Sequence, residues 1–205
     1  ILPGTDRCTN SLSPKLAAKQ RSRPVQLLSV GAVIPRKGFH ILIEALQPLK
    51  SLSWTLTIAG DVTRDAHAFA HLQEVIRRCS LQDRVHVLGS VSDLELQNLY
   101  ATSDVFVLAS FYEGYGMVFA EAMANGLPIV ATTGGAIPDT VPTQAGVLVT
   151  PGHVVALSDA IRSLVENDEY RLVLAQGASS AALQQPTWAE SVQKFDQLLN
   201  AVAAE

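Results

Sequence analysis

The chain has 205 residues, 48% of them hydrophobic and 17% charged, which suits one globular domain of ordinary size with a full core. A formal net charge of −4 supplies neither a basic surface for nucleic acid nor a polybasic membrane patch, so any binding chemistry has to come from local charge. Cys8 and Cys79 stand far apart outside any C-x-x-C or metal-like pattern, the first residues read as neither signal nor transit peptide, and no run of about 18 apolar residues occurs, a combination that suits a soluble chain in a reducing cytoplasm.

Residues 1 to about 23 are polar and broken by Pro3, Gly4 and Pro14, with Pro24 following, and are expected to be an incoming linker. Residues 24–205 then form the domain. Val25–Val30 is the first expected strand, ending at Gly31, and Gly38 to Leu49 places Phe39, Leu42, Ile43, Ala45 and Leu46 at helical spacing. The turn between them, Gly31-Ala-Val-Ile-Pro-Arg-Lys-Gly38, lacks the G-x-G-x-x-G of a dinucleotide dehydrogenase and the G-x-x-x-x-G-K-[ST] of a phosphate-loop kinase or ATPase. It offers instead Arg36 and Lys37 just before a helix N-terminus, adjacent cations suited to neutralising a diphosphate without a metal ion.

Ser53 to Ala59 is the second strand with Gly60-Asp61 as its exit turn, His67 to Cys79 a helix, and Val85 to Leu88 the third strand, ending at Gly89-Ser90-Val91. His67 and His71 share a helix face, but no acidic ligand joins them in an H-E-x-x-H arrangement, so a solvated face is expected there and no metal site. Ser92 and Glu95 have the spacing of a capping box for a short helix over Asp93 to Ala101, and Asp104 to Ala109 is the fourth strand.

The stretch from Ser110 to Thr133 is the one the rest of the chain supports. Glu113-Gly-Tyr-Gly116 carries glycines that let the backbone turn sharply and approach a ligand closely, and a helix is expected to start near Gly116. The first N–H groups of such a helix have no partner within it and form an anion site at the carboxyl edge of a sheet. Glu113 precedes the helix and Glu121 lies inside it, eight positions on, so the carboxylates need not be close. A carboxylate pair attacking one bond usually sits about 5 Å apart. These glutamates therefore read as gripping different parts of one long ligand, and a carboxylate accepting two hydrogen bonds at once suits the vicinal hydroxyls of a sugar. Leu127 to Thr132 closes the unit as the fifth strand, giving a strand, loop, helix, strand crossover and so a parallel pair.

The block E-G-Y-G-M-V-F-A-E-A-M-A-N-G-L-P-I-V-A-T, with Gly114, Gly116, Gly126 and Pro128 at matching offsets, resembles the E-x7-E motif of retaining glycosyltransferases of the two-domain B-type fold, especially the large family 4. The resemblance implies that Glu113 faces the donor sugar and that Glu121 holds the ribose of a nucleoside-diphosphate sugar. It further implies that Lys37, with Arg36, meets the diphosphate together with the amides of Gly116, Met117 and Val118. It places the base against the backbone at Ser90 and Val91. Gly31, Gly60 and Gly114, in the exit turns of the first, second and fourth strands, complete the expected nucleotide-sugar-binding set. No cofactor and no metal are implied. The implied partners are the nucleotide-sugar donor and an N-terminal acceptor-binding domain that would precede residue 1, which leaves open an acceptor at a membrane surface reached through that domain. One departure stands out: where the family often has arginine directly after the glycine, in G-R-x-x-x-x-K-G, this chain has Ala32, and Arg36 is the candidate source of the replaced charge.

Thr133-Gly-Gly-Ala-Ile-Pro138 is a turn opening a short helix, similar to the family's G-G-x-P-E turn with Asp139 in place of Glu; its expected role is structural, with Gly135 a secondary candidate for donor contact. Ala145 to Val149 is the sixth strand. An amphipathic helix follows from Val154 to Val165, an alanine-rich helix over Asp168 to Ala182, and a final amphipathic helix from Pro186 to Ala201, the last with Trp188 as a packing residue and Val192, Phe195, Leu198 and Leu199 on its apolar face.

Apolar strands alternating with helices define a doubly wound α/β domain, a Rossmann-like parallel sheet of about six strands with helices on both faces. In the order 3-2-1-4-5-6, strands one and four are neighbours at the switch point where ligands bind, so the Arg36-Lys37 turn and the Glu113-Gly116 loop are expected to meet in one crevice. The function expected is the donor-binding domain of a retaining hexosyltransferase, inactive by itself because the acceptor and any base would come from the other domain. An epimerase or phosphorylase of the same fold and a non-catalytic sugar-nucleotide binding or interaction module are the alternatives, the module motivated by Ala32.

Overall fold

The computed structural model of the chain describes residue 4 and residues 23–203. The expected linker over residues 1 to about 23 lies outside the described residues except at Gly4 and Arg23.

β1 (Val25–Val30), β2 (Trp54–Ala59), β3 (Val85–Gly89), β4 (Val105–Leu108), β5 (Ile129–Thr132) and β6 (Gly146–Val149) form one sheet in the order β3-β2-β1-β4-β5-β6, with every pairing parallel. This is the usual order of the doubly wound class that the alternation of apolar strands with helices predicts. All four residues of β4 and of β5 are buried, as strands covered on both faces require, whereas the edge strand β3 exposes His86 and Leu88.

The helices are α1 (Phe39–Leu46), α2 (Ala66–Arg78), α3 (Asp93–Thr102), α4 (Met117–Ala124), α5 (Ile137–Thr140), α6 (Val154–Glu166), α7 (Asp168–Gln184) and α8 (Trp188–Ala203). α1 buries Phe39, Leu42, Ile43, Ala45 and Leu46, the stripe its spacing predicts. It ends three residues earlier than Leu49 as an α-helix, because Pro48 has no N–H to continue the ladder, and the chain tightens there into a 3-10 turn over Gln47–Leu49. The capping box of α3 forms as expected: the Ser92 hydroxyl accepts from the Glu95 N–H at 3.3 Å, and the Glu95 carboxylate accepts from the Ser92 N–H at 2.8 Å.

On one face of the sheet Phe106 of β4 stacks on Tyr100 of α3, with ring centroids 6.2 Å apart, and meets Phe119 of α4 edge-on at 5.7 Å. Elsewhere α1 packs on α2 and α6, and α6 packs on β5 and β6. One expectation fails. Trp188, Val192, Phe195, Leu198 and Leu199 of α8 carry an apolar stripe at helical spacing, but they are 47–64% exposed, so Trp188 is not a packing residue among the described residues. No helix of the described residues is long and apolar enough to cross a membrane.

Candidate functional site

β1 and β4 are adjacent and parallel, so the loops leaving their carboxyl ends emerge side by side. The first loop narrows into a 3-10 turn, Pro35–Lys37, whose proline presets φ, and Gly38 then opens α1. The turn drives Lys37 inward until it is only 8% exposed, and its Nζ donates to Oε1 of Glu113 at 2.8 Å. Glu113, 5% exposed, comes from the β4 loop. Its Oε1 also accepts from the Ser110 hydroxyl at 2.5 Å, and its Oε2 accepts from Arg36 Nη1 at 3.1 Å. The same Arg36 nitrogen donates to the Tyr112 carbonyl, while the Arg36 carbonyl accepts from the Phe111 N–H at 2.8 Å, so backbone as well as charge joins the loops.

Burial by itself would raise the Glu113 carboxyl. Hydrogen bonds from Lys37 and Ser110, the Lys37 charge and the Arg36 contact outweigh it, and the carboxyl is held below its ordinary range. Glu113 therefore stands ionised in a nearly closed shell of donors. The loop is pinned from its other side as well: the Glu113 N–H donates to the Gly134 carbonyl at 3.2 Å and the Glu113 carbonyl accepts from the Ala136 N–H at 2.9 Å. Thr132 donates to the Ser110 carbonyl, and Thr140 of α5 to the Tyr115 carbonyl at 2.6 Å. The G-G-A-I-P turn is thus structural, and a Cβ on Gly135 would lie 2.3 Å from the Glu113 carbonyl oxygen.

Beyond Glu113 the loop ends at Gly116, the N-cap of α4, which sits at φ 83° and gives the helix no side-chain cap. A Cβ there would meet the buried Phe119 ring at 2.6 Å, so both backbone angle and packing call for glycine. Gly114 differs: a Cβ on it would meet nothing within 4 Å. Met117 and Val118, which begin α4, are half-buried beside this opening. One turn further on, Glu121 is also half-buried, and its Oε2 accepts from the Tyr100 hydroxyl at 2.9 Å.

The other expected contacts line the β1, β2 and β3 exits. A Cβ on Gly60 would lie 2.1 Å from the Gly31 carbonyl oxygen, and one on Gly31 would meet the Lys37 stem at 3.1 Å, so these turns stack against each other and against Lys37. The Gly60 N–H donates to the Gly89 carbonyl at 2.9 Å, carrying the row to Ser90 and Val91, which sit at the exposed outer edge of the sheet. The structure thus gathers Lys37, Arg36 and Glu113 into one cluster and holds Glu121 apart in a second. Ser90 and Val91 touch neither cluster through any hydrogen bond described above.

Sequence reasoning missed the hydroxyl donors. Ser110, Thr132, Thr140 and Tyr100 serve the loop and its carboxylates, yet hydroxyl residues are common enough that only the fold reveals their partners. The His71 ring lies tilted at 42° against His40 with centroids 5.4 Å apart, and among the described residues no three His, Cys, Asp or Glu side chains gather as a metal-ligand set.

The model of the family described as glycosyl transferases group 1 matches residues 15–180. The chain belongs to the group 1 glycosyltransferases. It is 31% identical over 158 residues to the O-antigen chain mannosyltransferase B of Escherichia coli, covering 75% of this chain and 40% of that protein. The Anabaena protein HepE, solved in complex with UDP and glucose, superposes with a TM-score of 0.80 at 28% identity over 87% of this chain and 48% of its own. The C-terminal domain of a group 1 glycosyltransferase from Francisella tularensis superposes with a TM-score of 0.72 at 26% identity, covering 78% of this chain and 86% of that domain. This glycosyltransferase chain therefore spans less than half the length of the first two proteins and most of the third.

Proposed function

We propose that the chain is the donor-binding domain of a retaining glycosyltransferase that moves a hexose from a nucleoside-diphosphate sugar. The observation that carries the reading is the charge count of the buried cluster. Two cations, Lys37 and Arg36, face one carboxylate, Glu113, so the cluster keeps a net positive charge beside the uncapped start of α4. An ammonium has three N–H donors, and Lys37 spends one on Glu113, which leaves donors for phosphate oxygens without breaking the pair. The helix start adds the amides of Gly116, Met117 and Val118, the usual setting for a bound anion. Charge developing on the leaving diphosphate would be stabilised here by groups already in place.

In this reading Glu113 meets the transferred sugar, Glu121 the ribose, and the opening at Gly114 gives the donor its room. The row of turns at Gly31 and Gly60 floors the groove toward Ser90 and Val91, where the base would lie against backbone. Arg36 takes up the charge that Ala32 does not provide. No cofactor or metal enters the scheme. The acceptor would be held by an N-terminal domain, and the exposed apolar stripe of α8 together with the partial coverage of the relatives supports a neighbour of that kind. A cytoplasmic location and an acceptor at a membrane surface reached through that domain belong to the same reading.

Calorimetry with UDP, GDP and ADP, free and as sugar conjugates, tests it. One nucleotide should bind, and Lys37→Ala and Glu121→Ala should each weaken that binding by about 1–3 kcal/mol, the cost of a lost charged hydrogen bond. No binding at millimolar ligand would favour a non-catalytic interaction module.

A further inference from the structure

Glu121 lies on the first turns of a short helix with its carboxylate half-buried, and a glutamate there has several rotamers to choose from. Something must choose. The Tyr100 hydroxyl reaches it from α3 at 2.9 Å, and the ring that carries this hydroxyl has little freedom. Tyr100 is 3% exposed and stacked on Phe106, which in turn meets Phe119, the side chain packed beneath Gly116. An aromatic ladder thus runs from the phenol to the start of α4. Burial, then the Glu121 charge and its hydrogen bond, push the Tyr100 hydroxyl well above its ordinary range, so it remains a donor throughout the working pH range.

We infer that Tyr100 is a positioning residue for nucleotide recognition: its hydroxyl fixes the Glu121 carboxylate in the rotamer that accepts the ribose hydroxyls of a nucleoside diphosphate. The inference rests on the reading of Glu121 given above and adds to it a residue from a different helix. A carboxylate has about four acceptor positions, of which the phenol on Oε2 takes one while orienting the group. The phenol thus preorganises the carboxylate before any ligand arrives.

The test compares each of UDP, GDP and ADP with its 2′,3′-dideoxy counterpart, titrated calorimetrically into the full chain as wild type, Tyr100→Phe and Glu121→Gln. In the wild type, whichever nucleotide binds should lose affinity when its ribose hydroxyls are removed. Tyr100→Phe should weaken the ribonucleotide by about tenfold, of the order expected for a hydrogen bond to a charged group, and leave the dideoxy form unchanged. The ratio of the two affinities within one preparation does not depend on the folded fraction, so a modest loss of stability in the variant cannot imitate the result. A phenol that only fills the core would weaken both nucleotides equally or neither, and either outcome overturns the inference. A Glu121→Gln variant that keeps the ribose preference overturns the ribose reading of Glu121 and this inference with it. If Glu121→Gln loses that preference and Tyr100→Phe keeps it, the role of Tyr100 alone falls.

Discussion

Glu113 and Glu121 bracket the start of α4 in opposite surroundings. Glu113 is sealed between two cations and a serine hydroxyl on a loop pinned along both sides, whereas Glu121 is half-exposed and accepts a hydrogen bond from a phenol on α3. The contrast separates two ways of holding a charge ready. In the first, opposite charge fixes the carboxylate and the carboxylate fixes the cations, so the whole cluster is rigid before any ligand arrives, at a desolvation cost that its hydrogen bonds must offset. In the second, a neutral phenol helps to set the direction of the carboxylate.

The strongest way to break the comparison is to remove each carboxylate and measure unfolding by denaturant. Glu113→Ala leaves the ammonium of Lys37 buried with no carboxylate and should cost about 3–5 kcal/mol, the range for stripping one partner from a buried pair. Glu121→Ala removes the hydrogen bond from Tyr100 on a half-exposed group and should cost less, about 1 kcal/mol for that bond. Equal losses would mean that both glutamates act as ordinary helix-end charges. A double variant, Lys37→Met with Glu113→Leu, removes charge from both sides at once and should recover at least half of the Glu113→Ala loss, because apolar replacements of a buried pair are often neutral. Failure to recover would assign the cost to packing rather than to the orphaned ammonium.

The next effect compares two glycines of the same loop. Gly116→Ala must hold an alanine at φ 83° and displace the Phe119 ring, so it should destabilise by about 2 kcal/mol, of which the left-handed backbone alone accounts for about 1–2 kcal/mol. Gly114→Ala meets open space and should change stability by less than about 0.5 kcal/mol. Its effect should instead appear in nucleotide-sugar binding, since the methyl would stand beside Glu113 where the donor is proposed to lie. Thermal unfolding paired with calorimetry separates the two: a stability loss at Gly114 or unchanged binding there would remove this loop from the donor site.

Much of this arrangement is legible in the chain. The apolar runs and their alternation with helices give the doubly wound class, and the usual strand order of that class, which the sheet adopts, puts the Arg36-Lys37 turn beside the Glu113 loop. The capping box of α3 is a local pattern and forms as written. What the chain did not disclose is which hydroxyls serve the carboxylates. Tyr100 reaches Glu121 across 21 positions, and Ser110, though close to Glu113 in sequence, is turned onto it by the folded loop and is one serine among many. α8 shows the opposite limit: its periodicity correctly predicts an apolar face, and periodicity carries no information about what covers it.

The smallest expected effect is in the acid limb of stability, and its sign follows from the shifted groups. The folded-state pKa of Glu113 lies below the ordinary 4.5, so its contribution is fully present above that pH and is lost as pH falls through the folded value. His40 behaves likewise at higher pH: burial, then the neighbouring His71 charge, lower it against an opposing pull from Glu44, so its contribution is complete above 6.5 and fades as pH drops below that. Both groups weaken the fold on acidification, in separate windows. Urea midpoints measured from pH 8 to pH 3 should therefore begin to decline just below 6.5 and decline again below 4.5. Glu113→Gln should shrink the second decline to the part that the exposed Asp61 and Glu95, lowered by hydrogen bonds from Thr63 and Ser92, contribute, and should leave the first, while His40→Phe should remove the first and leave the second. If the decline below 4.5 persists in full in Glu113→Gln, the acid limb belongs to other carboxylates and the cluster does not set it.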